Sequence, residues 1–135
     1  MKHFVLDSHM CAAFGGAFYP TGHSVVMFPK AEDANRVGHQ LIDRGFSGDE
    51  VYLIPPQTML SQISPTVRDD ADTPLPSAGT DGATVRVYTK LAREGHTGLL
   101  VKTENRAAAE RLMEVVRTVP YSVAERYCRL VIEDL

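Results

Sequence analysis

Residues 23–54, HSVVMFPKAEDANRVGHQLIDRGFSGDEVYLI, decide the fold of this chain. The run His23–Phe28 is apolar on both faces of an extended backbone, which indicates a strand covered on both sides. Residues 30–44 bring an apolar side chain back every three or four positions, which predicts an amphipathic helix that ends at Gly45. Val51–Ile54 is a second apolar run of strand length. The stretch therefore predicts one β-α-β unit.

The C-terminal part of the chain, residues 96–135, shows the same order of patterns. Residues 96–102 are predicted as a strand. Asn105 is placed to cap a helix that continues to about Thr118, and Pro120 ends it. The two units match in pattern and not in residue identity.

The last part of the second unit is predicted from shorter signals. Ser122 and Glu125 have the spacing of a capping box, which predicts one more helical turn over residues 123–127. Residues 129–133 then form the closing strand.

Two β-α-β units side by side predict an α+β fold, the ferredoxin-like split β-α-β plait with both helices on one face of the sheet. We expect the two opening strands to be adjacent and parallel. His23 and His96 stand at the starts of these strands, so we expect them to lie near each other at one sheet edge.

A length of 135 residues fits a single domain. Its expected parts are an N-terminal arm (1–22), the first unit (23–54), a helix-loop-helix insertion (55–95) and the second unit (96–135). Within the insertion, residues 65–82 are predicted as an exposed acidic loop, because they combine four aspartates with prolines and glycines. Residues 83–94 favour a helix that ends at Gly95, although residues 84–88 also fit a strand.

The first unit resembles part of a known family. A hydrophobic strand (25–28), an acidic helix start (30–34), a glycine-aromatic helix end (41–46) and a second strand (49–54) are similar to the first unit of the small heat-induced general stress proteins. The resemblance is confined to residues 23–54. It implies a ferredoxin-like fold and a stress-associated role with no assigned enzymatic chemistry, and it carries over no functional residue.

Composition and charge exclude several classes of protein. Lys and Arg number 14 against 17 Asp and Glu, so the net charge is −3 and the broad basic footprint of a DNA-binding protein is missing. No apolar run approaches the roughly 18 residues of a membrane span. Asp7 and His9 interrupt the start of the chain before an export signal is complete. With two cysteines, we expect no disulfide scaffold and a cytoplasmic location.

A plait carries helices on one face of its sheet, and its other face needs a cover. Three occupants fit this sequence: the arm with the insertion, a second copy of the chain in a homodimer, or a small-molecule ligand. The expected recognition surface combines the aromatic residues of the arm with the two strand-opening histidines. These residues are Phe14, Phe18, Tyr19, His23 and His96.

The start of the chain also holds candidate metal ligands. If residues 2–7 form a strand that continues, then Asp7, His9 and Cys11 point the same way, and their side chains are competent zinc ligands. The other interpretation is a polar strand end with a buried thiol. No cofactor besides this candidate zinc is expected, and the sequence leaves the reactivity of Cys11 and Cys128 open.

These observations together predict a non-enzymatic binding or regulatory protein of bacterial type, acting as a homodimer through the sheet face and the aromatic arm. One alternative is a metal-assisted or cofactor-independent enzyme, with a pocket on the sheet face and His9, Cys11 and His23 as its polar groups. A second alternative is an RNA-binding module, because a plait can present strand aromatics to bases. The sequence does not identify the ligand.

Overall fold

The computed structural model describes residues 1–12, 16–67 and 81–135. Within these residues six strands form one sheet, and helices pack on both of its faces. The elements in chain order are β1 (Lys2–His3), β2 (His23–Phe28), α1 (Ala31–Asp43), β3 (Val51–Ile54), α2 (Pro56–Thr58), α3 (Asp81–Arg93), β4 (Thr97–Lys102), α4 (Arg106–Val116), β5 (Val123–Tyr127) and β6 (Ile132–Asp134). A π-turn over Met59–Ile63 and a 3₁₀ turn over Ser64–Thr66 continue α2.

The strand order in the sheet is β1-β3-β4-β2-β5-β6. The short β1 pairs parallel with β3, and every other neighbouring pair is antiparallel. The two long strands β2 and β4 therefore form the centre, which agrees with their apolar residues on both faces. The fold is mixed α+β, as the sequence predicts.

The predicted first unit is confirmed. The strand occupies His23–Phe28 and the helix Ala31–Asp43, one residue shorter at each end than expected. Gly45 ends the helix at a φ of +105°, a conformation that glycine adopts without strain. The amide of Phe46 then donates to the Leu41 carbonyl, and the Phe46 ring folds back into the core. In the second unit, Asn105 caps α4 by accepting from the Ala108 amide, as predicted.

The insertion contains the predicted second helix and no strand over residues 83–94. This helix, α3, turns Val85, Tyr88 and Ala92 towards the sheet. Val87 is 43% exposed, because the buried stripe advances three residues from Val85 to Tyr88 and four more to Ala92 and so passes it by. The predicted acidic loop falls mostly on residues 68–80, which lie outside the described residues.

The end of the second unit differs from the prediction. Val123–Tyr127 is the strand β5, not a helical turn, and the closing strand expected over residues 129–133 is replaced by the short edge strand β6. Pairing with β2 on one side and β6 on the other satisfies the β5 backbone along its length. This long-range pairing outweighs the capping-box spacing of Ser122 and Glu125, which is a local signal.

The opening strands of the two units are adjacent but antiparallel. His23 lies opposite Lys102, whereas Phe28 lies opposite Thr97, the residue after His96. The two histidines therefore stand at opposite ends of the β2–β4 pair, about 17 Å apart along the strands by the usual rise per residue. The expectation that they meet at one sheet edge is wrong, because the connection between the units reverses the chain direction.

Both faces of the sheet are covered within one chain. Helices α1 and α4 pack on the first face, where Val37, Leu41 and Leu112 join Val26 and Leu99 of the sheet. On the second face, α3 and the turns after α2 pack with the arm over the sheet. Of the three expected occupants of the second face, the arm and the insertion are the ones found there.

The arm lies against the sheet through its aromatic residues. Phe18 is fully buried, with its ring 5.9 Å from Phe4 and 6.0 Å from Tyr127. The Phe18 amide donates to the Thr66 hydroxyl, which ties the arm to the insertion. The predicted strand over residues 2–7 is limited to Lys2–His3. Phe14 lies outside the described residues.

Among the helices in the described ranges, none combines the length and the hydropathy that a membrane crossing requires.

Replacing Phe18 by alanine tests this arrangement. We expect Phe18→Ala to lower the free energy of unfolding by about 3–5 kcal/mol, because a fully buried ring leaves a cavity. The matched control is Val5→Ala in the same arm, where the side chain is 70% exposed and the expected change is below about 0.5 kcal/mol. Urea unfolding measures both. Equal stability of the Phe18→Ala variant and the parent would show that the arm does not cover the sheet.

Candidate functional site

A mostly apolar cavity of about 360 Å³ lies between α3 and the β5–β6 hairpin. We call it the carboxyl cavity, because two carboxyl groups, Glu125 and Asp134, share its lining with the Tyr88 side chain. The remaining lining residues are Ala83, Thr84, Val87 and Ile132. An apolar space with a few convergent polar groups is the usual form of a small-molecule site.

Strand alternation puts the two carboxyl groups on the same side of the sheet. Glu125 and Asp134 are directly opposite each other in the β5–β6 ladder, so their side chains share one face. Tyr127, two residues after Glu125, is buried on that face, and Ala124 packs into the cluster on the other. Glu125 therefore lies on the face that α3 packs against, near the edge of the sheet, where the helix covers it only in part.

The two carboxyl groups share a proton at neutral pH. Burial raises the pKa of Glu125 to about 8, and a side-chain hydrogen bond with Asp134 and the negative charge of Asp134 add to this effect. At neutral pH the protonated Glu125 donates this hydrogen bond to the Asp134 side chain. A protonated, half-buried Glu125 therefore stands beside the exposed Asp134 at the rim of an apolar cavity.

Within residues 1–12, 16–67 and 81–135, no Lys, Arg or His nitrogen lies within 4 Å of either carboxyl group. On the other face of β6, Glu133 pairs with Arg126 of β5 at 3.6 Å and with Arg106 of α4 at 3.9 Å. The negative charge of the cavity is therefore not neutralised by the part of the chain that the structure describes.

Tyr88 lines the cavity and is the first of three tyrosines in successive contact. The hydroxyls of Tyr88 and Tyr127 are hydrogen-bonded at 2.8 Å and are buried. Burial is the main cause that raises the pKa of each, so both stay neutral over the physiological range. The Tyr127 ring lies 4.9 Å from that of Tyr19, whose hydroxyl donates to the Cys128 carbonyl.

A second cavity, the arm cleft, brings together three of the residues singled out in the sequence. His9, Cys11 and Tyr19 line a space of about 340 Å³ with Asp81 and Arg129. Its remaining lining residues are Ala12, Thr21 and Leu130.

The zinc ligands expected at the arm are not arranged as a strand. Residues 8–10 form a 3₁₀ turn, and the Asp7 carboxylate caps this turn by accepting from the His9 amide at 2.9 Å. Burial, and then the charge of Asp7, raises the pKa of the Cys11 thiol, which favours the protonated form. His9 and Cys11 share the cleft, but the described residues contain no group of three His, Cys, Asp or Glu side chains that could hold a metal ion.

The four described residues of the expected recognition surface do not form one surface. Phe18 is a core residue, and Tyr19 lines the arm cleft. The Nδ1 atom of His23 lies 3.0 Å from the Thr21 carbonyl oxygen at one end of β2. His96 lies at the other end, bonded to the Ser122 hydroxyl. Phe14 is outside the described residues. Among the four that the structure describes, only Tyr19 lines either cavity.

Sequence reasoning missed Glu125 and Asp134 as a pair. Assigning residues 123–127 to a helical turn hid the alternation that places Glu125 beside Tyr127 on one face. The available signal was a period of two in both segments, with an acidic residue on the otherwise apolar face of each.

Comparison of the chain with protein-family models, with curated proteins and with solved structures finds no match.

The shared proton makes stability depend on pH. The folded pKa of Glu125 is raised above its ordinary value of 4.5, so its contribution to stability is complete below about pH 4.5 and is lost as the pH rises to about 8. The titratable group that acts on it is Asp134 on β6. The Tyr88 and Tyr127 hydroxyls on the same face stay neutral, and β2 places Val25 opposite it. We expect Glu125→Gln to flatten this pH dependence.

Urea unfolding of the parent and the variant between pH 4 and 9 measures this effect. Glu110→Gln, an exposed position on α4, is the control and should keep the parent slope. A carboxyl ¹³C titration of Glu125 gives the pKa directly, and a midpoint near 4.5 would contradict the shared proton.

Proposed function

We propose that this protein binds a small organic cation with an apolar body in the carboxyl cavity and acts by binding, not by catalysis. The observation that carries the proposal is the pair Glu125 and Asp134, which faces an apolar cavity without a basic partner among the described residues. Glu125 is half-buried, so its ionised form is favoured there only beside an opposite charge.

An ammonium group fits this cavity in both charge and hydrogen bonding. It donates to Glu125 and Asp134 together, and in doing so replaces the proton that they share. The apolar side chains of Val87, Ile132 and Ala83 suit the hydrocarbon part of such a ligand. Ligand binding therefore releases about one proton, because both carboxyl groups are ionised in the complex.

The enzyme alternative rests on a different property of the same group. A carboxyl with a raised pKa in a cavity is also what a general acid requires. We favour binding, because the cavity lining in the described residues holds no cysteine, histidine or lysine beside Glu125, and the Tyr88 hydroxyl is engaged with Tyr127. The polar groups first expected for an enzyme are divided, since His9 and Cys11 line the arm cleft and His23 does not.

We also propose the ferredoxin-like plait as the architecture that supports the site. The order β3-β4-β2-β5, antiparallel throughout, and the packing of α1 and α4 on one face support it. RNA-binding plaits expose aromatics on the opposite face. Here α3 and the arm occupy that face, which favours the small-ligand proposal over the RNA alternative.

Other expectations stay predictions. The sequence predicts a homodimer because one face of the sheet needs a cover. The arm and α3 cover that face, so this reason for a dimer no longer applies. A dimer through another surface stays a prediction. The stress-associated role, the bacterial origin and the cytoplasmic location rest on sequence alone. Zinc at His9 and Cys11 stays a prediction that metal analysis of the purified protein can test.

Titration with hexylammonium, with 1-hexanol as the neutral probe of equal length, tests the cation site. We expect the amine to bind at least about tenfold more tightly than the alcohol, because only the amine compensates the carboxyl pair. Its affinity should rise with pH up to about 8, the pKa of Glu125, and then level off. Calorimetry in buffers of different ionisation enthalpy measures the released proton.

Substitutions distinguish amine binding in the carboxyl cavity from a general attraction of the amine to an acidic protein. Asp134→Asn and Glu125→Gln should each weaken amine binding by about tenfold or more. Glu110→Gln removes an acidic charge on α4 and should leave binding unchanged. Equal binding of the amine and the alcohol, or equal effects of all three substitutions, would refute the proposed site.

A further inference from the structure

The other flank of α3 carries a cluster of positive charge. A cavity of about 250 Å³, the basic pocket, lies between this flank and the turn that follows α2. Its lining residues are Ser64, Val67, Val85, Arg86, Thr89, Lys90 and Arg93. Arg86, Lys90 and Arg93 are four and three residues apart, so they project from one side of the helix. None of the lining residues belongs to the carboxyl cavity.

These three cations have no acidic partner among the described residues. No carboxylate oxygen in the described ranges lies within 4 Å of Arg86, Lys90 or Arg93. The Nε atom of Arg86 is buried and has no hydrogen-bond partner. The cluster is unexpected in a chain of net charge −3.

Helix electrostatics account for only part of this cluster. Lys90 and Arg93 lie in the last turn of α3, where cations interact favourably with the helix dipole. Arg86 lies in the middle of the helix, outside the range of that effect. The observation that points to a ligand is therefore the convergence of Arg86, Lys90 and Arg93 on one cavity, with no carboxylate beside them in the described ranges.

The chemistry of the lining selects the class of ligand. A guanidinium offers a planar fork of donors that matches phosphate oxygens, and a lysine adds a point charge. The hydroxyls of Ser64 and Thr89 are hydrogen-bonded to each other, and Val67 and Val85 supply an apolar wall. We propose that the basic pocket binds a small phosphate monoester, with the phosphate held by Arg86, Lys90 and Arg93 and a short apolar group against the two valines.

Phenyl phosphate and inorganic phosphate are the probes, and ¹⁵N-labelled protein reports the site by NMR. We expect saturable shifts confined to amides of residues 64–67 and 85–93, with phenyl phosphate binding more tightly because of the valines. Binding should weaken as salt is added, since the contact is between charges. Phosphate that moves no amide of these ranges would overturn the proposal.

Substitutions at the exposed cations avoid the risk of unfolding. Lys90→Gln with Arg93→Gln should lower phenyl phosphate affinity by about tenfold or more. Lys30→Gln, an exposed lysine before α1 whose side chain caps nothing, should change it by less than about twofold. An equal loss from Lys30→Gln would mean that only net charge matters and would refute the pocket.

Arg86→Lys tests whether the planar guanidinium of Arg86 binds the phosphate. It keeps the charge and removes the planar donor pair, so phosphate affinity should fall while thermal stability, read in parallel, stays near that of the parent. Unchanged affinity in this variant would exclude Arg86 as a ligand-binding residue. The outcome is independent of amine binding at Glu125 and Asp134, so the two proposals succeed or fail separately.

Discussion

Tyr127 joins the two segments that cover the second face of the sheet. Its ring packs against Phe18 and Tyr19 of the arm, and its hydroxyl is bonded to Tyr88 of α3. Either hydroxyl alone in this apolar cluster would cost about 1–3 kcal/mol, and the bond between them removes that cost. The arm and α3 are thus held on one strand, and the position of α3 defines both cavities.

The orientation of α3 gives its two flanks opposite electrostatic character. The Val85, Tyr88 and Ala92 stripe faces the sheet, so one flank of the helix meets Glu125 and Asp134 while the other presents Arg86 and its neighbouring cations. Glu125 and Arg86 are each partly buried beside more exposed groups of the same charge, and neither set has an opposite charge within 4 Å in the described residues. Uncompensated charge beside an apolar wall is the feature that the two cavities share.

Local signals were sufficient for most elements and failed where distant pairing decides. The apolar stripe of α1, the stop at Gly45 and the cap at Asn105 depend on residues a few positions apart, and each was predicted. Residues 123–127 carry a capping-box spacing and a period of two at once, and only pairing with β2 and β6 selects the strand. Strand direction leaves no mark in such patterns, so the placement of His23 beside His96 was wrong.

The order of amino acids alone yields the two strand-helix-strand patterns, the helix that became α3 and a chain without a broad basic surface. The packed chain decides the rest. Glu125 and Asp134 meet only through the register of β5 and β6, and Phe18 becomes core only because the arm crosses the sheet. The pKa of a carboxyl and the pairing of a guanidinium depend on what lies within a few ångströms in space, and those neighbours come from distant parts of the chain.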